Sequence, residues 1–369
     1  LELFHALAAR FRSGAPFYWD ERRFAKGPAL WPKAPPLTNH TMLNRLIPDP
    51  FLAALFGVVI LAALLPASGR AAEAVDVVAN FAIALLFFLQ GARLARETVI
   101  GGMVHWRLHL LVLACTFILF PLLGIALHAA APNLLSETLW VGMLFLCALP
   151  STVQSSIAFT SIGKGNVPAA ICAATASNLL GIFITPLLVG LLLSAKGDMG
   201  FDISAIGKIV LQLLVPFIAG QILRPKIGGF VLKHKKILSM TDRSSILLVV
   251  YSAFSAAVVN GIWQRLAVND LMTLLMMDSV LLAIVLIITT LAARAFGFDK
   301  PDEVTIVFCG SKKTLASGVP MANVLFPGAA AGIVILPLMI FHQIQLMVCA
   351  WMAQRYSQQI EEKAPITGA

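Results

Sequence analysis

Ten stretches of mostly apolar residues follow one another between positions 48 and 353: 48–66, 75–95, 106–129, 137–161, 167–194, 204–224, 243–262, 271–294, 303–325 and 329–353. A helix needs about 20 such residues to cross the hydrocarbon core of a bilayer. A water-soluble domain carries roughly 45–50% apolar and about 25% charged residues. This chain of 369 residues is 59% hydrophobic and 12% charged, with a mean hydropathy of +0.87. Too little polar material is left to cover a surface facing water. The expected fold class is an all-α polytopic membrane protein with about ten transmembrane helices.

That class removes soluble dehydrogenases, nucleases and nucleic-acid binders, although the net charge is +9. No basic stripe on a soluble face is present, so no nucleic-acid partner is expected. With the N-terminus inside, 15 of the 27 Lys and Arg fall in cytoplasmic segments, among them Arg93, Arg107, Lys164, Arg224, Arg294 and Arg355. The outer loops hold Arg70, Lys196, Lys208 and Arg265. The positive-inside rule then puts both termini in the cytoplasm, and the expected bilayer is a bacterial inner (plasma) membrane. Cys115, Cys147, Cys172, Cys309 and Cys349 all lie in apolar stretches, with no disulfide framework or metal-ligand spacing. They read as small buried hydrophobes.

Residues 1–41 are Pro-rich and basic and contain no Met. They are expected to be a disordered or non-native extension ahead of a start at Met42. Residues 42–355 form the transmembrane domain and 356–369 a cytoplasmic tail. Ten spans divide into five and five, about 46–194 and 204–353, and an odd number per half makes the two repeats inverted. The fourth and ninth spans are the anomalous ones. They carry Pro150-Ser151-Thr152-Val153-Gln154-Ser155-Ser156 and Cys309-Gly310-Ser311-Lys312-Lys313-Thr314. Both follow a Phe/Cys pair, and both lead into a Pro-small-Ala step, Pro168-Ala169-Ala170 and Pro327-Gly328-Ala329. Interrupted helices at matching positions of two halves point to a transporter's midplane site, because broken backbone is tolerated at membrane depth only where protein or a cavity satisfies it. An enzyme is not expected: GxSxG, HExxH and paired intramembrane carboxylates are absent from the sequence. The 310–314 run has only a faint likeness to the end of a phosphate-binding loop; position 305 is Thr where the first Gly belongs and the run lies in a membrane span, so no phosphate site is expected.

At these residues the sequence resembles the bile acid:sodium symporter superfamily, and within it the SBF-like branch, over roughly 43–355. The marks are Lys164-Gly165-Asn166-Val167, Thr185-Pro186 and Gly310-Ser311-Lys312-Lys313-Thr314-Leu315-Ala316. The resemblance implies a four-helix panel, a six-helix core, and broken spans four and nine crossing at their unwound centres. It also implies a site there, drawn from Thr116, Gln154, Ser155, Ser156, Asn178, Ser311, Lys312, Lys313 and Thr314. The departures are informative. Sodium-coupled members have Ser and Thr early in the fifth span, where this chain has Ala170 and Ala174. Their third-span Gln is matched by Thr116. Their ninth-span Glu and Gln-Asn are replaced by Cys309 and the Lys312-Lys313-Thr314 run, and no carboxylate lies between Val304 and Val334.

Two lysines within the bilayer cost roughly 2.5–3.5 kcal/mol each on insertion scales. Three readings account for them. In one, an ammonium takes the place of sodium, contacting carbonyls at the broken ends and Gln154, Ser155 or Ser156. Burial disfavours a charged amine, so a proton is then the natural coupling ion, or transport is uncoupled exchange. In another, Lys312 and Lys313 bind the anionic group of the substrate. In the third, one lysine snorkels to an interface and the other pairs with Asp278, unless Asp278 is solvated near the outer end of its span. The expected function is secondary active transport of a small organic anion, with no cofactor. The rivals are a sodium symporter with altered ligands and a non-transporting regulatory membrane protein.

Overall fold

The computed structural model describes residues 50–93, 105–194, 203–261, 268–326 and 330–362. The 1–41 extension and the Pro327-Gly328-Ala329 step lie outside the described residues. Every regular element among the described residues is helical: α1 (Pro50–Leu64), α2 (Arg70–Arg93), α3 (Trp106–Ala130), α4 (Glu137–Ala148), α5 (Gln154–Ile162), α6 (Val167–Ser194), α7 (Ile203–Lys233), α8 (Lys235–Val259), α9 (Val268–Ala295), α10 (Lys300–Gly310), α11 (Leu315–Leu325) and α12 (Ala330–Glu362). The expected tail boundary at 356 falls within α12, which continues to Glu362.

Among the described residues six helices, α2, α3, α6, α8, α9 and α12, are long and apolar enough to cross a bilayer. Large apolar side chains stand exposed along several of them, including Phe81, Leu187, Leu191, Ile287 and Leu291. Such a surface belongs in hydrocarbon, and the chain is an integral membrane protein. The fourth and ninth expected spans are each divided into two short helices, α4 with α5 and α10 with α11. In the first break Pro150 has no N–H to give a helix, and Ser151 and Thr152 offer the backbone side-chain alternatives to helical bonds. Within α3, residues Cys115–Leu119 form a π-helical turn just before Pro121. A proline clashes with the carbonyl four residues earlier, and a π turn is one way a helix absorbs that conflict.

Helices α1, α2, α7 and α8 pack on one another as a group. The closest approach is between α2 and α7. A Cβ on Gly91 would stand 2.1 Å from the Phe217 carbonyl oxygen, and one on Gly220 would stand 2.0 Å from that of Phe88. Helices α2 and α8 are tied by an Arg93–Asp242 ion pair and by the Ser252 hydroxyl donating to Asp76. In the rest of the molecule α4 and α10 are the innermost elements, buried continuously over 139–148 and 302–310. Their depth leaves no solvent for the groups at their broken ends. Helix α10 starts on an Asp299 cap that accepts from the Asp302 N–H at 2.9 Å. The loop after α5 docks on it: the Asn166 N–H donates to the Pro301 carbonyl at 3.1 Å, and the Asn166 amide donates to Asp302 at 2.8 Å. These contacts give the Lys164-Gly165-Asn166-Val167 mark a physical role, bracing one broken helix pair against the other.

Candidate functional site

The two breaks meet. Thr314 N–H donates to the Pro150 carbonyl at 3.0 Å, the Ser151 hydroxyl to the Cys309 carbonyl at 2.6 Å, and the Ser156 hydroxyl to the Phe308 carbonyl at 3.0 Å. A helix leaves its last carbonyls without intrahelical partners, and inside a membrane protein each must find one. Five successive carbonyls at the end of α4 do so. Cys147 and Leu149 accept from the Lys313 ammonium, Ala148 from the Thr185 hydroxyl, Pro150 from Thr314, and Ser151 from the Asn178 amide. Helix α6 supplies both Thr185 and Asn178, and its Gly181 leaves room for Pro150, which a Cβ there would meet at 2.6 Å.

Lys313 is the centre of this arrangement. It is 0% exposed. Its ammonium donates to the carbonyls of Thr116 (2.9 Å), Cys147 (2.9 Å) and Leu149 (2.6 Å), and lies 4.0 Å from the centre of the Phe120 ring. All three donors of the ammonium are thereby used. Two acceptors sit at the C-terminal end of α4, where the helix dipole favours a cation, and the third lies in the π turn of α3. Gln345 on α12 fixes the lysine backbone from the other side: its carbonyl oxygen accepts from Lys313 N–H and its amide donates to the Lys313 carbonyl, both at 2.9 Å. Lys312 is also 0% exposed but far less occupied. It donates to the Ser155 carbonyl at 3.2 Å and lies 3.6 Å from the centre of the Phe159 ring, a cation–π contact.

The structure gathers most of the expected residues. Ser155 and Ser156 join Thr152 in a hydroxyl cluster. Ser311 closes α10, its N–H donating to Val307. Asn178 bridges the two breaks, bonding Ser151 on one side and the Ser317 hydroxyl on the other. Thr116 contributes its carbonyl, while its hydroxyl turns back to Val112 at 2.8 Å. Gln154 is not brought to the lysines: its side chain is exposed, and the Lys312 and Lys313 ammoniums bond to backbone carbonyls of other residues. The third reading of the lysines fails on geometry. Neither reaches an interface, and Asp278, expected to be solvated or paired, is fully buried with no partner on either carboxyl oxygen among the described residues. Ala170 and Ala174, both buried, bring no side-chain oxygen. Sequence reasoning gave no role to Gln345, Ser151 or Ser317; for Gln345 the available signal was an amide amid apolar residues of the last span.

Gln345→Leu is expected to leave the Lys313 N–H and carbonyl buried and unpaired. At about 1–3 kcal/mol for each orphaned group, the variant inserts but unfolds at a clearly lower temperature or detergent-denaturant concentration than the wild type.

Residues 49–358 match the SBF-like CPA transporter family. The chain is 58% identical over 320 residues to "Uncharacterized protein PA2026" of Pseudomonas aeruginosa, covering 87% of this chain and 96% of that one. It is 53% identical over 314 residues to "Putative symporter YfeH" of Escherichia coli K12, covering 85% and 94%. A more distant relative, "Sodium/bile acid cotransporter 7" of Rattus norvegicus, is 28% identical over 289 residues, covering 75% and 85%.

Proposed function

The chain belongs to the SBF-like CPA transporter family, and we propose that it is a secondary transporter of a small organic anion in which the Lys313 ammonium stands where sodium-coupled relatives hold the ion. The observation that carries this reading is the set of three carbonyls converging on Lys313 Nζ at 2.6–2.9 Å. Carbonyl dipoles at a helix C-terminus are a cation's ligands, and here the cation is covalently attached. Lys312 is the second positive charge. With a single hydrogen bond and an aromatic face as its surroundings, it retains donors for a carboxylate, sulfonate or phosphate. Alternating access then brings the anion to Lys312 while Lys313 holds the two breaks together.

The same proposal includes ten spans in two inverted repeats, with α4–α5 and α10–α11 as the fourth and ninth, both termini cytoplasmic, and a bacterial inner membrane. Coupling is to protons or to exchange of anions. A second reading, sodium symport through altered ligands, is favoured by the name of the rat relative.

Proteoliposomes separate the two. Uptake of a panel of small labelled organic anions, taurocholate among them, is measured under a sodium gradient, a pH gradient, or neither. The proposal expects uptake that persists when N-methylglucamine replaces sodium. Uptake strictly dependent on sodium would establish the second reading, and correctly inserted protein that moves no anion of the panel would count against transport of this class.

A further inference from the structure

The end of the molecule that carries the α9 C-terminus and the last turns of α12 holds a cavity of about 370 Å³ lined by Arg294, Trp351, Met352, Arg355, Tyr356 and Gln359. It lies by the end of α9 at Ala295, and on the part of α12 where apolar residues give way to Gln354, Arg355, Ser357, Gln358 and Gln359. Such a change from apolar to polar and charged residues, with a Trp beside it, suits the level of lipid headgroups. The charge balance around it is uneven. Glu303 is nearly buried, and it accepts from Arg294 through two nitrogens (3.1 and 3.2 Å) and from Lys300 at 2.7 Å. A third cation, Arg355, makes no ion pair among the described residues and rests 5.4 Å from the Trp351 ring centre. Arg294 and Lys300 thus share one carboxylate, while Arg355, lining the same cavity as Arg294, is paired with none among the described residues. The Arg294 side chain is 58% exposed despite its pairing, so its outer face remains open to a ligand. On α12, Trp351 and Met347, one turn apart, are 59% and 62% exposed. They make an apolar strip running from the cavity toward the membrane interior.

We infer that this cavity binds the headgroup of an anionic phospholipid, its phosphate between Arg294 and Arg355 and its acyl chains along Trp351 and Met347. Arginine matches phosphate oxygens in a planar fork, basic pockets between spans suit anionic headgroups, and an interfacial Trp marks the depth at which they sit. A free phosphate has the same headgroup chemistry but no use for the apolar strip. The strip therefore selects the lipid.

The purified full-length protein is tested by native mass spectrometry and by thermal unfolding with phosphatidylglycerol, phosphatidylcholine, or inorganic phosphate added. Phosphatidylglycerol is expected to bind and stabilise more than phosphatidylcholine, and inorganic phosphate to do neither. Arg355→Gln, which breaks no ion pair, should weaken phosphatidylglycerol binding about fivefold, the factor equivalent to the roughly 1 kcal/mol that a basic residue contributes at an anionic surface. Arg355→Lys should retain most of it, and Arg70→Gln, on α2, should change nothing. Equal binding of the two lipids, an Arg355→Gln protein that binds phosphatidylglycerol like the wild type, or protection by inorganic phosphate alone would overturn the assignment.

Discussion

Lys313→Met is expected to reduce transport to background while the protein still inserts, and to lower its stability by about 1–3 kcal/mol. Two opposing terms set that estimate. The substitution strands the carbonyls of Thr116, Cys147 and Leu149, and a buried acceptor without a donor costs about 1–3 kcal/mol. It also removes a buried ammonium, whose desolvation costs several kcal/mol. The stranded groups are neutral, so the fold survives; the link between α4 and the second break does not. Lys313→Arg is not expected to rescue transport. The guanidinium is a wide planar fork, and the site is a compact convergence of three carbonyls on one nitrogen. Lys312→Met should also stop transport but leave stability close to wild type, since only one hydrogen bond to Ser155 is lost. Uptake assays paired with thermal unfolding read both quantities. Equal destabilisation by the two substitutions would deny the division of roles.

Gly220→Ala should be among the most damaging small substitutions in the chain. Its Cβ would fall 2.0 Å from the Phe88 carbonyl oxygen and 2.9 Å from the Ala92 nitrogen. Both are backbone atoms, so no side chain can rotate away and α2 and α7 must separate. Overpacking costs about 1–3 kcal/mol where side chains can adjust, and here the upper end or beyond is expected, with loss of monodisperse protein. Gly91→Ala, against the Phe217 carbonyl at 2.1 Å, should behave alike. Gly229→Ala on α7 provides the contrast: nothing lies within 4 Å of its Cβ, and alanine's better helix propensity should raise stability by up to about 1 kcal/mol. Thermal unfolding of the three variants side by side checks the ordering.

The membrane class and the positions of both breaks were legible because they are written in side chains. Long apolar runs demand a bilayer, and Pro150 with its hydroxyl neighbours, like the Gly310–Thr314 run, cannot continue an apolar helix unaided. Among the described residues six helices, not ten, are long and apolar enough to cross: the fourth and ninth expected spans are each divided between two short helices, α1 is only 15 residues long, and α7 is not among the six. The core of the site was less legible because it is made of backbone. Nothing in the letters Cys147 and Leu149 announces carbonyls aimed at an ammonium. Thr116 was singled out for a hydroxyl that turns back on its own helix, while its carbonyl, in the π turn, does the binding. Gln154 and Asp278 show the other gap. Neighbours in sequence do not reveal which face of a helix meets protein, so Gln154 was expected inside and lies exposed, and Asp278 was expected to be solvated or paired with a lysine and lies buried with neither among the described residues.

The central claim is that a tethered ammonium occupies the cation position. It is tested most directly by thermal unfolding of the wild type and of Lys313→Ala in sodium chloride against N-methylglucamine chloride at equal ionic strength. A cation that binds only the folded state stabilises it by RT ln(1 + [L]/Kd), about 2.7 kcal/mol at a hundred times Kd. The account predicts that the wild type melts at the same temperature in both salts, and that Lys313→Ala, with its carbonyls vacated, melts higher in sodium. A wild-type protein specifically stabilised by sodium would contradict it.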